Sequence, residues 1–361
     1  MKFPHLNGRA EALASELDIK PDVAEWLAVA ALHAGCFLRA QYSAARETHR
    51  VGTERSVKSL SKQKLIVETP VEEIGLLCRI TSKAVYRSLG EADSRHRREA
   101  SWPVMCRRLL SLDYVIDHPG LPWLATEAEK LACFEQLGIQ QAELPFREYR
   151  GADNVGFVRR YFANKHPIAV DAEAKTAVFA YADSNERSPQ GLRSWRAEHG
   201  PLWAALYRQG FRLKIVHAGR DPKLAGSVRR VFEGWARDAA SEREVSRMKR
   251  ELERLEKALL NDDDYVLDEY GGFSRAFRRS AELKGRLKHK IAVAGYKADY
   301  EVWLSKRIPA KDAWQNRLGP RRAKAQAKAQ VANKEGIISN SAKKRHIAVG
   351  NLILSDDFGE P

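Results

Sequence analysis

Cysteine is scarce in this chain: four residues, Cys36, Cys78, Cys106 and Cys133, in 361. Each sits in an apolar stretch and no two have the spacing of a metal knuckle, so they read as small buried hydrophobes rather than a disulfide framework. Long hydrophobic runs are missing as well. No stretch reaches the roughly 18 apolar residues of a membrane span. The start, Met1-Lys2-Phe3-Pro4-His5, is not followed by a signal-peptide core. A cytoplasmic protein with no membrane contact is expected. Familiar catalytic patterns are absent too: no Walker loop, no G-x-G-x-x-G, no G-x-S-x-G and no H-E-x-x-H. Acidic residues are in deficit, with 47 Asp and Glu against 62 Lys and Arg, a net charge of +15. That excess draws polyanions, of which nucleic acid is the commonest.

Hydrophobic residues make up 44% of the chain, enough for packed cores, and the length allows two or three domains. The pattern predicts an α+β multidomain protein in five parts. Residues 1–90 read as a winged helix, 91–145 as a helical connector, and 146–240 as an α/β domain. Residues 241–310 read as a helical hairpin or short coiled coil, and 311–361 as a basic, partly disordered tail.

In the first part, Pro21-Asp22 opens a helix whose stripe runs through Val23, Trp26, Leu27, Ala30 and Ala34, with Gly35 as its stop. A short helix from Leu38 to Ala45 follows. A third helix runs from Thr53 to Leu65, with Val57 and Leu60 on one face and Arg55, Lys58, Ser59 and Lys62 pointing elsewhere. Ile66-Val67-Glu68-Thr69, a break at Pro70, and Ile74 to Ile80 read as a β-hairpin, and Lys83 to Leu89 as a further helix. Three helices and a hairpin are the winged-helix order, in which the third helix suits a DNA major groove. Arg55, Lys58, Ser59 and Lys62 are the candidate DNA contacts, with Arg79 on the wing strand. The competing reading makes them a solvated face of a protein-binding domain.

The connector carries a basic run, Ser94-Arg95-His96-Arg97-Arg98, read either as a phosphate contact or as a solvated helix entrance, then an apolar helix from Trp102 to Val115. In the third part, Ile168 to Asp171 and Thr176 to Tyr181 read as paired strands. A helix from Leu192 to Gln209, a strand from Phe211 to Val216 and a helix from Pro222 to Arg237 follow. This order resembles the core of restriction-endonuclease-like folds. The resemblance implies an Asp on one strand and an acid-x-Lys on the next, holding a divalent metal for phosphodiester hydrolysis. Asp171 stands where the first acid belongs, but the following strand lacks the acid-x-Lys pair, and Glu173-Ala174-Lys175 falls in the turn. The expectation is an inactive relative of that fold with no cofactor, with an unrelated α/β domain as a further reading. The alternative is a metal-dependent nuclease built on Asp171, with Glu173 or Asp183 as second ligand and Lys175 positioning water. His166, His199 and His217 are isolated in sequence and read as core or surface histidines.

In the fourth part Val245, Met248, Leu252, Leu255 and Leu259 form a heptad seam. It serves either a homodimer through residues 245–259 or an intramolecular hairpin, with the second helix at 276–307. An assembly protein using this seam is a third functional reading. The tail carries Arg321, Arg322 and Lys324 among its basic residues, further candidates for DNA contact.

Residues 23–90 resemble the winged-helix part of the replication-relaxation family of bacterial plasmids and integrative elements. The matching features are Trp26 to Leu32, Phe37 to Tyr42, the Arg55 to Leu65 helix, Leu76 to Ile80, and Thr81-Ser82-Lys83-Ala84, where Ala84-Val85 replaces a glycine typical of the family. The resemblance implies a double-stranded DNA-binding accessory or regulatory role in replication or transfer of a mobile element, and does not imply an enzyme.

Overall fold

A computed structural model describes residues 2–71, 74–150, 157–183, 189–238, 242–294 and 296–310. Over these residues the protein is a mixed α and β structure, mostly helical, with three small sheets. No described helix is long and apolar enough to cross a membrane.

The chain begins with α1 (Arg9–Leu17), which lies on α2 (Pro21–His33). Proline in the first turn of α2 costs no hydrogen bond and fixes the entry angle. Gly35 then turns the chain with φ +71°; a Cβ there would lie 2.5 Å from the His96 Cβ, so both backbone and packing require glycine. The strand β1 (Cys36–Leu38) follows, then α3 (Arg39–Arg46), α4 (Arg50–Lys62), β2 (Ile66–Val71), β3 (Gly75–Ile80) and α5 (Lys83–Ser88). The sheet order is β1-β3-β2, with both pairings antiparallel. Pro70, expected to break the strand, lies inside β2. This is tolerated because β2 is an edge, where a missing N–H breaks no ladder.

The helix α6 (Trp102–Asp117) occupies the middle of the described structure. Residues Leu109 to Ile116 are all buried, Ser111 and Asp113 among them, so this part of the helix has partners on every side. It packs against α2, α3 and β1 on one side and against a second sheet on the other. The segment expected as a connector is therefore the element both halves share. After α7 (Glu127–Gln136) comes an antiparallel ribbon, β4 (Phe146–Arg150) and β5 (Phe157–Tyr161).

The second sheet has the order β6-β7-β8-β9, from β6 (Ile168–Asp171), β7 (Thr176–Ala182), β8 (Arg212–Gly219) and β9 (Ala298–Leu304). The β6–β7 pair is antiparallel, whereas β7–β8 and β8–β9 are parallel. One face presents Ala169, Val178, Ala180, Ala182, Val216 and Ala218 to the α6 core; the small side chains allow the helix to approach closely. The other face, with Ile168, Phe179, Leu213 and Ile215, is covered by α8 (Gln190–Arg208) and α9 (Pro222–Asp238), through Trp195, Leu202, Trp203, Val228, Phe232 and Trp235.

Between α9 and β9 the chain forms α10 (Glu242–Asn261), the short α11 (Asp264–Glu269) and α12 (Phe273–Ala294). Met248, Leu252, Leu255 and Ala258 of α10 pack with Ala276, Leu283 and Leu287 of α12, and Val245 and Leu259 border the same cluster. The heptad seam is thus filled within the chain by a hairpin, one of its two readings, and is not left open for the other, a homodimer through residues 245–259. The expected partner helix at 276–307 is corrected. It stops at Ala294, and residues 298–304 are a strand paired in parallel with β8, whose edge supplies the backbone partners a helix would not need.

Candidate nucleic-acid interface

The geometry of α4 is fixed from both ends. Before it, Glu47 adopts a left-handed turn at φ +50°. The Ser43 hydroxyl donates to the Thr48 carbonyl, and the Thr48 and Thr53 hydroxyls lie 3.0 Å apart. After it, Lys64 turns left-handed at φ +58° and the Leu65 N–H bonds the Leu60 carbonyl at 3.0 Å, closing the helix end. Between these pins Thr53, Val57 and Leu60 are buried, at the four-then-three spacing that makes one helical stripe.

The opposite face carries Arg55, Lys58, Ser59 and Lys62, all exposed. Lys58 lies 3.1 Å from Glu54 one turn earlier, with 63% and 42% of the two side chains exposed. An ion pair so open to water is weak, so the ammonium remains exchangeable toward another anion. Among the described residues no ion pair engages Arg55 or Lys62. The helix therefore offers two unengaged cations, one exchangeable cation and a hydroxyl on a single rigid surface.

The other expected contacts are placed differently. Arg79 lies on the middle strand β3, half-buried, with its guanidinium 3.4 Å from Glu99, at the root of the hairpin rather than its tip. In the basic run, His96 is buried and its Nδ1–H donates to the Ala31 carbonyl at 3.0 Å, so it packs α2 while Arg95 and Arg98 remain exposed. Arg321, Arg322 and Lys324 lie outside the described residues.

The acidic candidates are not brought together. Asp171 pairs with Thr176 at the β6–β7 turn and accepts from the Ala174 N–H at 2.8 Å, an Asx cap. Glu173 is exposed in that turn, and Lys175 turns left-handed with its ammonium 4.8 Å from the centre of the Phe211 ring. Asp183 lies beyond the far end of β7, about 20 Å away at the rise of a strand. There it is buried, with His217 Nε2 at 3.0 Å from its Oδ2. Among the described residues no group of three or more His, Cys, Asp or Glu side chains is arranged to hold a metal ion.

Two features escaped the sequence reading. The three isolated histidines lie around one aromatic pair, His166 beside Tyr181 and Trp195, His217 beside Tyr181 and His199 beside Trp195. His166 Nδ1 accepts from the Ala182 N–H at 3.2 Å, His199 Nδ1–H donates to the Trp195 carbonyl at 2.9 Å, and His217 meets Asp183. Burial lowers His199 to about 3 and keeps His166 well below its usual value, so both are neutral packing groups. The second feature is the β4–β5 ribbon. Its signal was present as two aromatic–arginine runs, Phe146 to Arg150 and Phe157 to Tyr161, flanking Gly151 and Gly156. No protein-family model, curated protein or solved structure matches the chain.

Proposed function

We propose that this protein binds double-stranded DNA through α4. We also propose that residues 1–90 are a winged-helix domain serving an accessory or regulatory role in the replication or transfer of a plasmid or integrative element. The observation that carries the reading is the division of α4 into a buried Thr53-Val57-Leu60 stripe and an exposed Arg55-Lys58-Ser59-Lys62 face. The element order supports it: helix, short strand, two helices, then a hairpin joined by the short strand in the order β1-β3-β2. The sequence between β2 and β3 contains Glu72 and Glu73, so phosphate contact is assigned to the helix and not to that segment.

The test is duplex binding across a salt series. Lys58→Ala with Lys62→Ala weakens binding. It also reduces the slope of log K against log salt by about 2, near 0.9 for each phosphate no longer neutralised. Unaltered affinity and slope in the double variant remove α4 from the mechanism.

A further inference from the structure

The ribbon of β4 and β5 is an element separate from α4, and the reading of α4 makes no use of it. All five residues of β4 and the first three of β5 are exposed. Phe157 is 70% exposed, Phe146 40%, Tyr149 41% and Val158 47%. A two-stranded ribbon with no covering layer is marginal in water, and large open aromatics on it mark a surface that engages something.

Its register sorts the side chains. Phe146 stands opposite Tyr161, Glu148 opposite Arg159, and Arg150 opposite Phe157, all on one face; Arg147–Arg160 and Tyr149–Val158 share the other. Four arginines face a single glutamate over these ten residues, and none is a lysine. Arg159 bonds Glu148 at 2.9 Å and its guanidinium stacks 4.9 Å above the Phe146 ring, while Arg147 reaches Glu198 of α8 at 3.0 Å. Among the described residues Arg150 and Arg160 form no ion pair. Aromatic rings interleaved with planar cations suit a ligand that offers flat π faces and phosphates together. A duplex buries its base faces in its own stack. A single strand leaves them open.

We infer that the β4–β5 ribbon binds single-stranded nucleic acid, with Phe146 and Phe157 stacking on bases and Arg150, on the same face, meeting the backbone. This adds a single strand to the duplex assigned to α4, and the two are separable.

The experiment measures full-length protein against a fluorescein-labelled oligothymidylate and a labelled duplex by anisotropy. Phe146→Ala with Phe157→Ala lowers oligothymidylate affinity by about 5- to 150-fold per ring. It leaves duplex affinity and the thermal midpoint unchanged, since both rings are exposed. Phe157→Tyr with Phe146 intact keeps most of the single-strand binding. Lys58→Ala with Lys62→Ala gives the opposite pattern, so failure at α4 is read independently. Wild-type protein that does not bind oligothymidylate overturns the inference. So does a phenylalanine double variant that binds it as wild type does. Equally fatal is a variant whose only change is in sedimentation or in capture by phosphatidylglycerol vesicles, because the ribbon would then serve a second copy or a lipid surface.

Discussion

Arg307 reaches back 194 residues to place Nη1 3.1 Å from Oδ1 of Asp113, a side chain wholly buried in the middle of α6. The same guanidinium sets Nη2 2.6 Å from Asp117, whose other oxygen accepts from the Trp303 indole N–H at 3.2 Å. From the opposite side, Gln41 on α3 donates to Asp113 at 3.2 Å and to the Leu109 carbonyl at 2.9 Å. The carboxylate of Asp113 therefore ties α3, α6 and the segment after β9. Burial pushes its carboxyl above the ordinary carboxylate range, against the pull of Ser305, Arg307 and Gln41.

Removing Arg307 strands that charge. Arg307→Ala is expected to cost about 3–5 kcal/mol at neutral pH, measured by urea unfolding. The cost shrinks as pH falls. Without its partner the Asp113 pKa rises further, so the folded variant takes up its proton at a higher pH than the unfolded chain does, and acid relieves the deficit. A loss independent of pH would show that Arg307 acts through packing and not through Asp113.

Lys130 is the converse case, a buried cation that makes no ion pair among the described residues. Its ammonium donates to the His166 carbonyl at 3.0 Å, and burial lowers its pKa to about 7. Below the unfolded value near 10.5, folding must strip or bury this proton, a penalty that grows as pH falls and levels off below about 7. Lys130→Met is therefore expected to stabilise the protein by a few kcal/mol near pH 6, less the hydrogen bond it removes, on the order of 1 kcal/mol. The gain should fade as pH rises toward 10. Destabilisation across that whole range would show that the bond to His166 outweighs the buried charge.

Leu255 lies at the centre of the α10–α12 cluster with no exposure. Leu255→Ala should lower stability by about 2–5 kcal/mol, as for other truncations of buried leucines. The sedimentation coefficient should be unchanged, because the seam is filled by the chain's own α12. A variant that sediments as a smaller species would restore residues 245–259 as a contact between copies.

Asp171 caps a turn rather than facing other acids. Asp171→Ala is expected to cost about 1 kcal/mol by removing the bond to the Ala174 N–H. Supercoiled plasmid should survive incubation with wild-type protein and magnesium or manganese. Nicking that disappears in this variant would revive the nuclease reading.

Much of the architecture was legible where one periodicity dominated. The α2 stripe, the β2–β3 and β6–β7 hairpins, and the amphipathic helices α8 and α9 follow from apolar spacing within a few residues of their ends. Elements whose identity depends on distant partners were not legible. The three-residue β1 exists because β3 receives it, and β9 is a strand because β8 supplies a parallel edge. Gly295, directly after the end of α12, was a break signal in the sequence, but it does not by itself say that a strand follows. The centrality of α6 was hidden for a related reason: from Leu109 to Ile116 it is buried on all sides, so no single stripe announces its neighbours. Within the candidate interface, Val57 and Leu60 could be assigned inward from spacing alone. The engagement of His96 with Ala31 and of Arg79 with Glu99 required coordinates.

The late position of β9 bears on how the chain is made. Residues 298–304 and Arg307 emerge only after the whole helical hairpin of residues 242–294 has been synthesised. Until then β8 is a bare parallel edge and Asp113 lacks its cation, so the part of the chain already made cannot reach its final packing before Arg307 emerges. Products of premature termination upstream of residue 298 would carry an open strand and an uncompensated buried acid, two features that favour aggregation and proteolytic clearance over accumulation of a partly active fragment.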